Sequence, residues 1–171
     1  MNDNAQEDSN LFSLAQIQHL MRVEFNRAQR YSYPISCMMI SVDRLGYLRD
    51  LYGYSVKEVI LGQVVELLKA QSRSSDFLGR LPDDRLLTVI PHTGADGTAI
   101  MAERILAGAR GLEFRAGDRT LGVTLSIGFS YNEGNDTMFF DALLEASDDA
   151  LDDAQSQGGD RQFRQAPGGK L

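Results

Sequence analysis

Arg73 and Asp76, within Arg-Ser-Ser-Asp, are a pair whose side chains could read the edge of a base. A guanidinium can donate two hydrogen bonds to the O6/N7 edge of guanine, a preference of roughly 1–3 kcal/mol per good pair. A carboxylate can accept from guanine N1–H and N2–H, donors that adenine does not present in that pattern. Arg80, a little further on, could meet a phosphate or stack on a base. The spacing by itself selects nothing, because Arg-x-x-Asp recurs as Arg80/Asp83 and Arg115/Asp118. An Arg and an Asp so placed could equally form a surface ion pair worth ~0–1 kcal/mol. The first pair stands ahead of a hairpin turn at Pro82-Asp83-Asp84-Arg85.

Other charged residues have two readings each. Arg44, Arg49 and Arg85 fall among Asp43, Asp50, Glu58, Asp83 and Asp84. Either Arg85 pairs internally with Asp43 or Asp84, or the group docks an acidic protein segment. Asp148, Asp149, Asp152 and Asp153 put like charges on one helix face, and their spacing is not that of a calcium loop. That face is expected to be solvated, the other reading being a contact for a basic partner. His19 and His92 are isolated, so no zinc site or Ser/His/Asp constellation is credible. Cys37 is the single cysteine and sits in an apolar run, as a buried small hydrophobe would. Tyr47, Tyr52 and Tyr54 cluster and are expected to pack as a wall rather than to stack on a ligand.

The elements that must carry these residues alternate. Leu14, Ile17, Leu20, Met21 and Phe25 recur at helical spacing, predicting a helix over about 13–30 that stops before Pro34. Ile35–Val42 is an apolar run of strand length suited to a sheet's centre. Helices follow at about 44–52 and 55–71, the second turning Val56, Val59, Ile60, Val64, Leu67 and Leu68 inward. Phe77–Leu81 and Leu86–Ile90 flank the turn as a β-hairpin. A helix over about 95–110 buries Ile100, Met101, Ile105 and Leu106; Val123–Tyr131 alternates as a strand. Met138–Gln155 forms the last helix, with Phe139, Leu143, Ala146, Ala150 and Leu151 inward, and Arg161–Arg164 a terminal edge strand. The hairpin rules out a purely parallel sheet, so the class is α/β with a mixed, largely antiparallel central sheet flanked by helices.

At 171 residues the chain is about one domain, and its 43% hydrophobic content suffices for a core without disulfide or metal staples. The formal charge of −7 argues against general nucleic-acid binding, which needs a basic stripe. A local arginine cluster can still hold a small anion. No apolar stretch approaches the ~18 residues of a membrane span, and the start is acidic and polar, unlike a targeting signal. A cytoplasmic location without membrane insertion is therefore expected. Residues 1–12 and 165–171 read as polar and flexible tails around a domain at 13–164. Twelve residues hold no sensor domain, so input is expected from a ligand or a partner.

Over roughly 13–164 the chain resembles the GGDEF family of diguanylate cyclases. NRAQRYSYPISCMMISVD, DLYGY, VTLSIGFS and ASDDALDDAQSQGGDR match the family's first helix and strand, its Asp-x-Tyr-Gly-His turn, its late strand and its final helix, in order. The resemblance implies a palm-like fold that binds GTP and, as a homodimer with two divalent metal ions, makes cyclic di-GMP. It also shows departures. The first acid of the family's Asp-x-Asp is Ser41, followed by Asp43; the signature turn reads Pro82-Asp83-Asp84-Arg85-Leu86, with Arg85 in place of the metal-binding Glu. The guanine-reading Asn is Arg49, its partner Asp is Glu58, and phosphate-pairing basic residues are Gly46, Gln155 and Gly159. With these departures the expectation is a domain without metal or catalytic residues, hence no enzyme.

The family's Arg-x-x-Asp upstream of the turn is an inhibitory site for cyclic di-GMP, and Arg73 and Asp76 match it. Arg80 precedes the turn, and Arg104 resembles a second arginine that some members contribute. The resemblance thus implies a cyclic di-GMP receptor or adaptor, needing no further cofactor. The ligand is expected as a stacked pair that can bridge a homodimer, with a protein partner of unknown identity. A scaffold that binds proteins without ligand is the alternative, and a residual GTP-binding regulator a third reading.

Overall fold

The computed structural model describes residues 11–134, 137 and 139–168. Strand β1 (Leu11–Phe12) leads into helix α1 (Leu14–Tyr31) through Ser13, whose Oγ accepts from the Gln16 N–H while Gln16 Oε1 accepts from the Ser13 N–H. That reciprocal cap satisfies two backbone donors and fixes where the helix starts. Ile17, Met21, Phe25 and Ala28 follow at spacings of three and four, all buried, and Ser32 ends the helix in the left-handed region at φ 56°. The remaining elements are β2 (Ile35–Val42), α2 (Leu45–Tyr52), α3 (Tyr54–Gln71), β3 (Phe77–Arg80), β4 (Leu86–Pro91), α4 (Ala95–Arg110), β5 (Phe114–Ala116), β6 (Arg119–Leu121), β7 (Leu125–Asn132), α5 (Phe140–Ser156) and β8 (Arg161–Arg164).

The main sheet has the order β1-β3-β4-β2-β7-β8. Its inner pairs β3/β4, β4/β2 and β2/β7 are antiparallel, while β1/β3 and β7/β8 at the edges are parallel. This is the mixed, largely antiparallel α/β palm expected. Alternation along β2 sorts its side chains. Met38 and Ile40 join Ile60, Leu61, Val64 and Leu68 of α3 and Ile105 of α4 on one face. Cys37 and Met39 join Ile17, Met21 and Phe25 of α1 and Leu143 and Leu151 of α5 on the other. Each such side chain contributes about 1.5–3 kcal/mol by burial. Among the described residues no helix is long and apolar enough to cross a membrane.

Several local expectations need correction. Leu11 and Phe12, assigned to the tail, form a strand: they lie opposite Leu78 and Gly79. The short β5/β6 hairpin was not foreseen, since Arg115 and Arg119 break any apolar alternation. Val59, Ile100 and Phe139 are exposed rather than inward. Val59 sits a residue off the Ile60–Val64–Leu68 stripe, and 100° per residue turns it outward; Ile100 stands off its own stripe likewise. Phe139 precedes the first turn of α5 and has no helix face to share. Tyr47 and Tyr54 are exposed too, each beside a cation, Arg44 and Lys57 respectively. Residues 1–10 and 169–171 of the tails, and Met138 as a helix start, lie outside the described residues.

Candidate functional site

Beyond the C-terminus of α3 the chain closes on itself. The Asp76 N–H donates to the Arg73 carbonyl at 3.0 Å, and the Arg73 N–H donates to Asp76 Oδ2 at 2.8 Å. The Arg-x-x-Asp spacing therefore makes a turn that the aspartate side chain clasps by backbone, not a guanidinium–carboxylate pair. Among the described residues the Arg73 guanidinium forms no ion pair within 4.0 Å. Among the described residues nothing donates a hydrogen bond to Asp76 Oδ1, which is buried. A carboxylate oxygen in that state is costly, on the order of 1–3 kcal/mol or more. Burial raises the Asp76 pKa above its ordinary value; the Arg73 N–H and the Arg73 charge pull it back only in part. The pair borders a groove of about 450 Å³ whose walls include Phe12, Ser72, Ser74 and Phe77.

The structure brings Arg73 and Asp76 to this groove and not the other two arginines. Arg80 donates to both Glu58 oxygens, at 3.1 and 2.9 Å, and to Asp84 Oδ1 at 2.7 Å. It borders a separate groove with Leu11, Phe12, Pro82 and Asp84. Arg104 is exposed on α4 and is not part of the lining.

The signature turn is held by a charge network. Asp84 sits at φ 68°, its N–H bonded to the Leu81 carbonyl, and its Oδ2 accepts from Lys57 Nζ at 2.8 Å. Lys57 also lies 3.6 Å from Glu58. Lys57 was missed in the sequence, although it continues the stripe Ile60–Val64–Leu68 backwards at helical spacing; a lysine on an apolar stripe is a readable signal. Arg80 holds the Glu58 carboxyl below its ordinary value, more strongly than burial raises it. For Asp84 burial is the largest single influence and acts upward, but Lys57 and Arg80 together outweigh it, and its pKa falls.

Arg85 pairs with neither Asp43 nor Asp84. It donates to Asp83 Oδ2 at 2.7 Å and to Asp148 of α5, which corrects the solvated role given to that aspartate. The reason is that Asp84 faces Lys57 and Asp43 is already satisfied. Asp43 accepts from Ser126 Oγ and Thr124 Oγ1, both at 2.6 Å, and from the Asp160 N–H at 2.9 Å. Gly159 makes room for that last bond: at φ 74° it tolerates the left-handed turn, and a Cβ there would stand 2.6 Å from Asp43 Oδ2. Ser41 lies beside Ser126 across the strands, and Arg49 is exposed against Asp50 at 3.1 Å. Ser41, Arg49, Lys57, Asp83 and Asp84 border a cleft of about 310 Å³.

A pair of divalent cations needs several free oxygen donors. The cleft lining offers the Ser41 hydroxyl and the carboxylates of Asp83 and Asp84, each already paired with a cation, while Asp43 borders a different groove, so these residues do not fit that group. Among the described residues no three His, Cys, Asp or Glu are placed to hold a metal ion.

Asp84→Asn tests the network, because Asn tolerates positive φ while removing the charge. The expected cost is roughly 2 kcal/mol in denaturant unfolding, below that of a fully buried pair because Asp84 is one-fifth exposed. Both carboxyl pKa values are depressed by folding. Their stabilisation is thus complete above the ordinary carboxylate range and is lost as pH falls through the folded values. Wild type should lose stability on acidification more steeply than Asp84→Asn; parallel pH profiles would contradict the network's role.

Residues 9–161 match the family described as "Diguanylate cyclase, GGDEF domain". Diguanylate cyclase DgcM of Escherichia coli is 30% identical over 146 residues, 85% of this chain and 32% of that protein. The chain thus spans about a third of that curated relative. The structure of diguanylate cyclase SiaD in complex with its activator SiaC, from Pseudomonas aeruginosa, superposes with a TM-score of 0.84 at 24% identity, over 91% of this chain and 59% of that one. The GGDEF domain of DgcB from Caulobacter crescentus, in complex with c-di-GMP, gives 0.82 at 17% identity over 92% of each chain. The expectation of no enzyme is overturned here: the relatives are named diguanylate cyclases and point to an enzyme. The departures at Ser41 and Arg85 describe how the cleft is built and do not carry that exclusion. With its family matched over nearly the whole chain and its palm shared with these structures, the protein belongs to the GGDEF domain family of the diguanylate cyclases.

Proposed function

We propose that this GGDEF domain binds cyclic di-GMP in the groove beside Arg73 and Asp76 and acts there as a second-messenger receptor. The observation that carries the reading is the buried Asp76 oxygen without a partner, next to a guanidinium with no ion pair among the described residues. Guanine N1–H and N2–H supply the donors that the oxygen lacks, and Arg73 supplies donors for O6 and N7. The DgcB domain solved with c-di-GMP has the same fold, which supports the choice of ligand. The ligand is taken as a stacked pair whose second face can bridge another copy of the chain.

Arg73→Ala is a clean test, since the Arg73 N–H that clasps Asp76 belongs to the backbone and survives. Calorimetry with cyclic di-GMP should show binding about tenfold weaker than wild type. Equal affinity in the variant, or no heat from wild type, would remove the reading. A second reading is a docking surface for a protein partner, favoured by Tyr47, Leu51 and Tyr54, which are 59%, 54% and 65% exposed on and beside α2. Wild type that gives no heat with the dinucleotide favours that surface instead.

A further inference from the structure

We infer that Phe12 is a base-stacking residue of the Arg73–Asp76 groove, an inference that rests on the cyclic di-GMP reading above. Phe12 was assigned to a flexible tail, yet it forms a wall of the same groove as the two polar residues. Its backbone is held on both sides. It lies opposite Gly79 in the parallel β1/β3 pair, and Ser13 immediately after it is locked in the cap of α1. Gly79 lets the strand come close: a Cβ there would stand 3.1 Å from the Phe12 carbonyl oxygen and 2.8 Å from Ile17 Cδ1. Phe77 backs the ring, with centroids 6.3 Å apart and planes tilted by 57°.

Asp76 engages the edge of a purine, and Arg73 is assigned to its O6/N7 edge. The faces need an apolar plane, and a flat ring on an anchored strand supplies one with little ordering cost. Stacking on an aromatic ring is tolerant of base identity, so Phe12 would add affinity while Arg73 and Asp76 choose guanine. The assignment also gives β1 a purpose that sheet pairing alone does not explain, since two residues add little to the ladder.

The chain contains no tryptophan, so Phe12→Trp would place a single indole fluorophore at the groove. Titration with cyclic di-GMP should quench its emission. Phe12→Leu keeps the apolar volume but removes the ring, and binding should weaken about tenfold at an unchanged melting temperature. Wild-type heat with Phe12→Leu binding equally well, or Phe12→Trp binding with unaltered emission, overturns the inference and leaves the Arg73–Asp76 site standing. Absence of heat from wild type removes both.

Discussion

Asp76→Asn should bind cyclic di-GMP about a hundredfold more weakly than wild type and yet melt higher in the absence of ligand. Its two expected effects have one origin. Asp76 Oδ2 is satisfied by the Arg73 N–H at 2.8 Å, and an Asn carbonyl can take over that bond. Oδ1 is buried without a partner among the described residues, so removing the charge relieves the free protein. The relief is on the order of 0.5 kcal/mol after allowance for partial exposure, or roughly 1–2 °C in a domain of this size. Two charge-assisted bonds to guanine at about 1.4 kcal/mol each amount to the hundredfold loss. The sign with pH follows. The folded pKa of Asp76 is raised, so the stability linked to its neutral form is present at low pH and lost as pH rises through that value. Guanine N–H donors favour the charged form, so binding releases a proton and affinity climbs with pH over that window. The variant should show a flat profile. A melting temperature below wild type together with undiminished binding would refute the account.

How legible this was in the sequence depends on how local the cause is. The strand Ile35–Val42, the Phe77–Pro91 hairpin and the helix over 95–110 rest on short-range periodicity and turn residues, and their observed ranges agree to within a residue or two. The groove was legible to the extent that Arg73 and Asp76 stand together ahead of the hairpin. That they clasp through the backbone and leave one oxygen bare was not, because only burial reveals it. Arg85 meeting Asp148 was unreadable: the partners are far apart in sequence and meet only because α5 crosses the turn. The satisfied state of Asp43 likewise needs Thr124, Ser126 and Asp160 to converge from two other segments. Phe12 failed for another reason, since two residues give no alternation to read. The inference from Ser41 and Arg85 to the absence of an enzyme failed because it argued from missing donors alone; relatives named diguanylate cyclases correct it.

Gly128→Ala should be the most damaging single methyl in this fold. Gly128 lies in the middle of β7, paired with Met39 of β2 and Phe163 of β8, and α5 crosses directly over it. A Cβ there would stand 2.1 Å from the Leu151 nitrogen and 2.4 Å from the Ser147 carbonyl oxygen. Those two atoms are four residues apart in α5, the spacing of a helical hydrogen bond, so the methyl would intrude on the backbone rather than on a side chain that could swing away. Ala146, Ala150 and Ala154 recur at a spacing of four along α5 and are buried, so along that stripe the helix backbone lies close to the sheet. Relief requires lifting α5 by more than 1 Å, which strips contacts from Leu143 and Leu151 and disturbs the Ser147 Oγ bond to the Cys37 carbonyl. Overpacking ordinarily costs 1–3 kcal/mol; with rigid backbone on one side, about 4 kcal/mol is expected. The entropy that alanine removes from the unfolded chain offsets less than ~1 kcal/mol of this. The loss should also reach the signature turn, because α5 carries Asp148 to Arg85. Denaturant unfolding of Gly128→Ala should thus show a much lower midpoint, and adding Arg85→Ala should cost less in that background than in wild type. Near-wild-type stability would mean that α5 rides higher on the sheet than described.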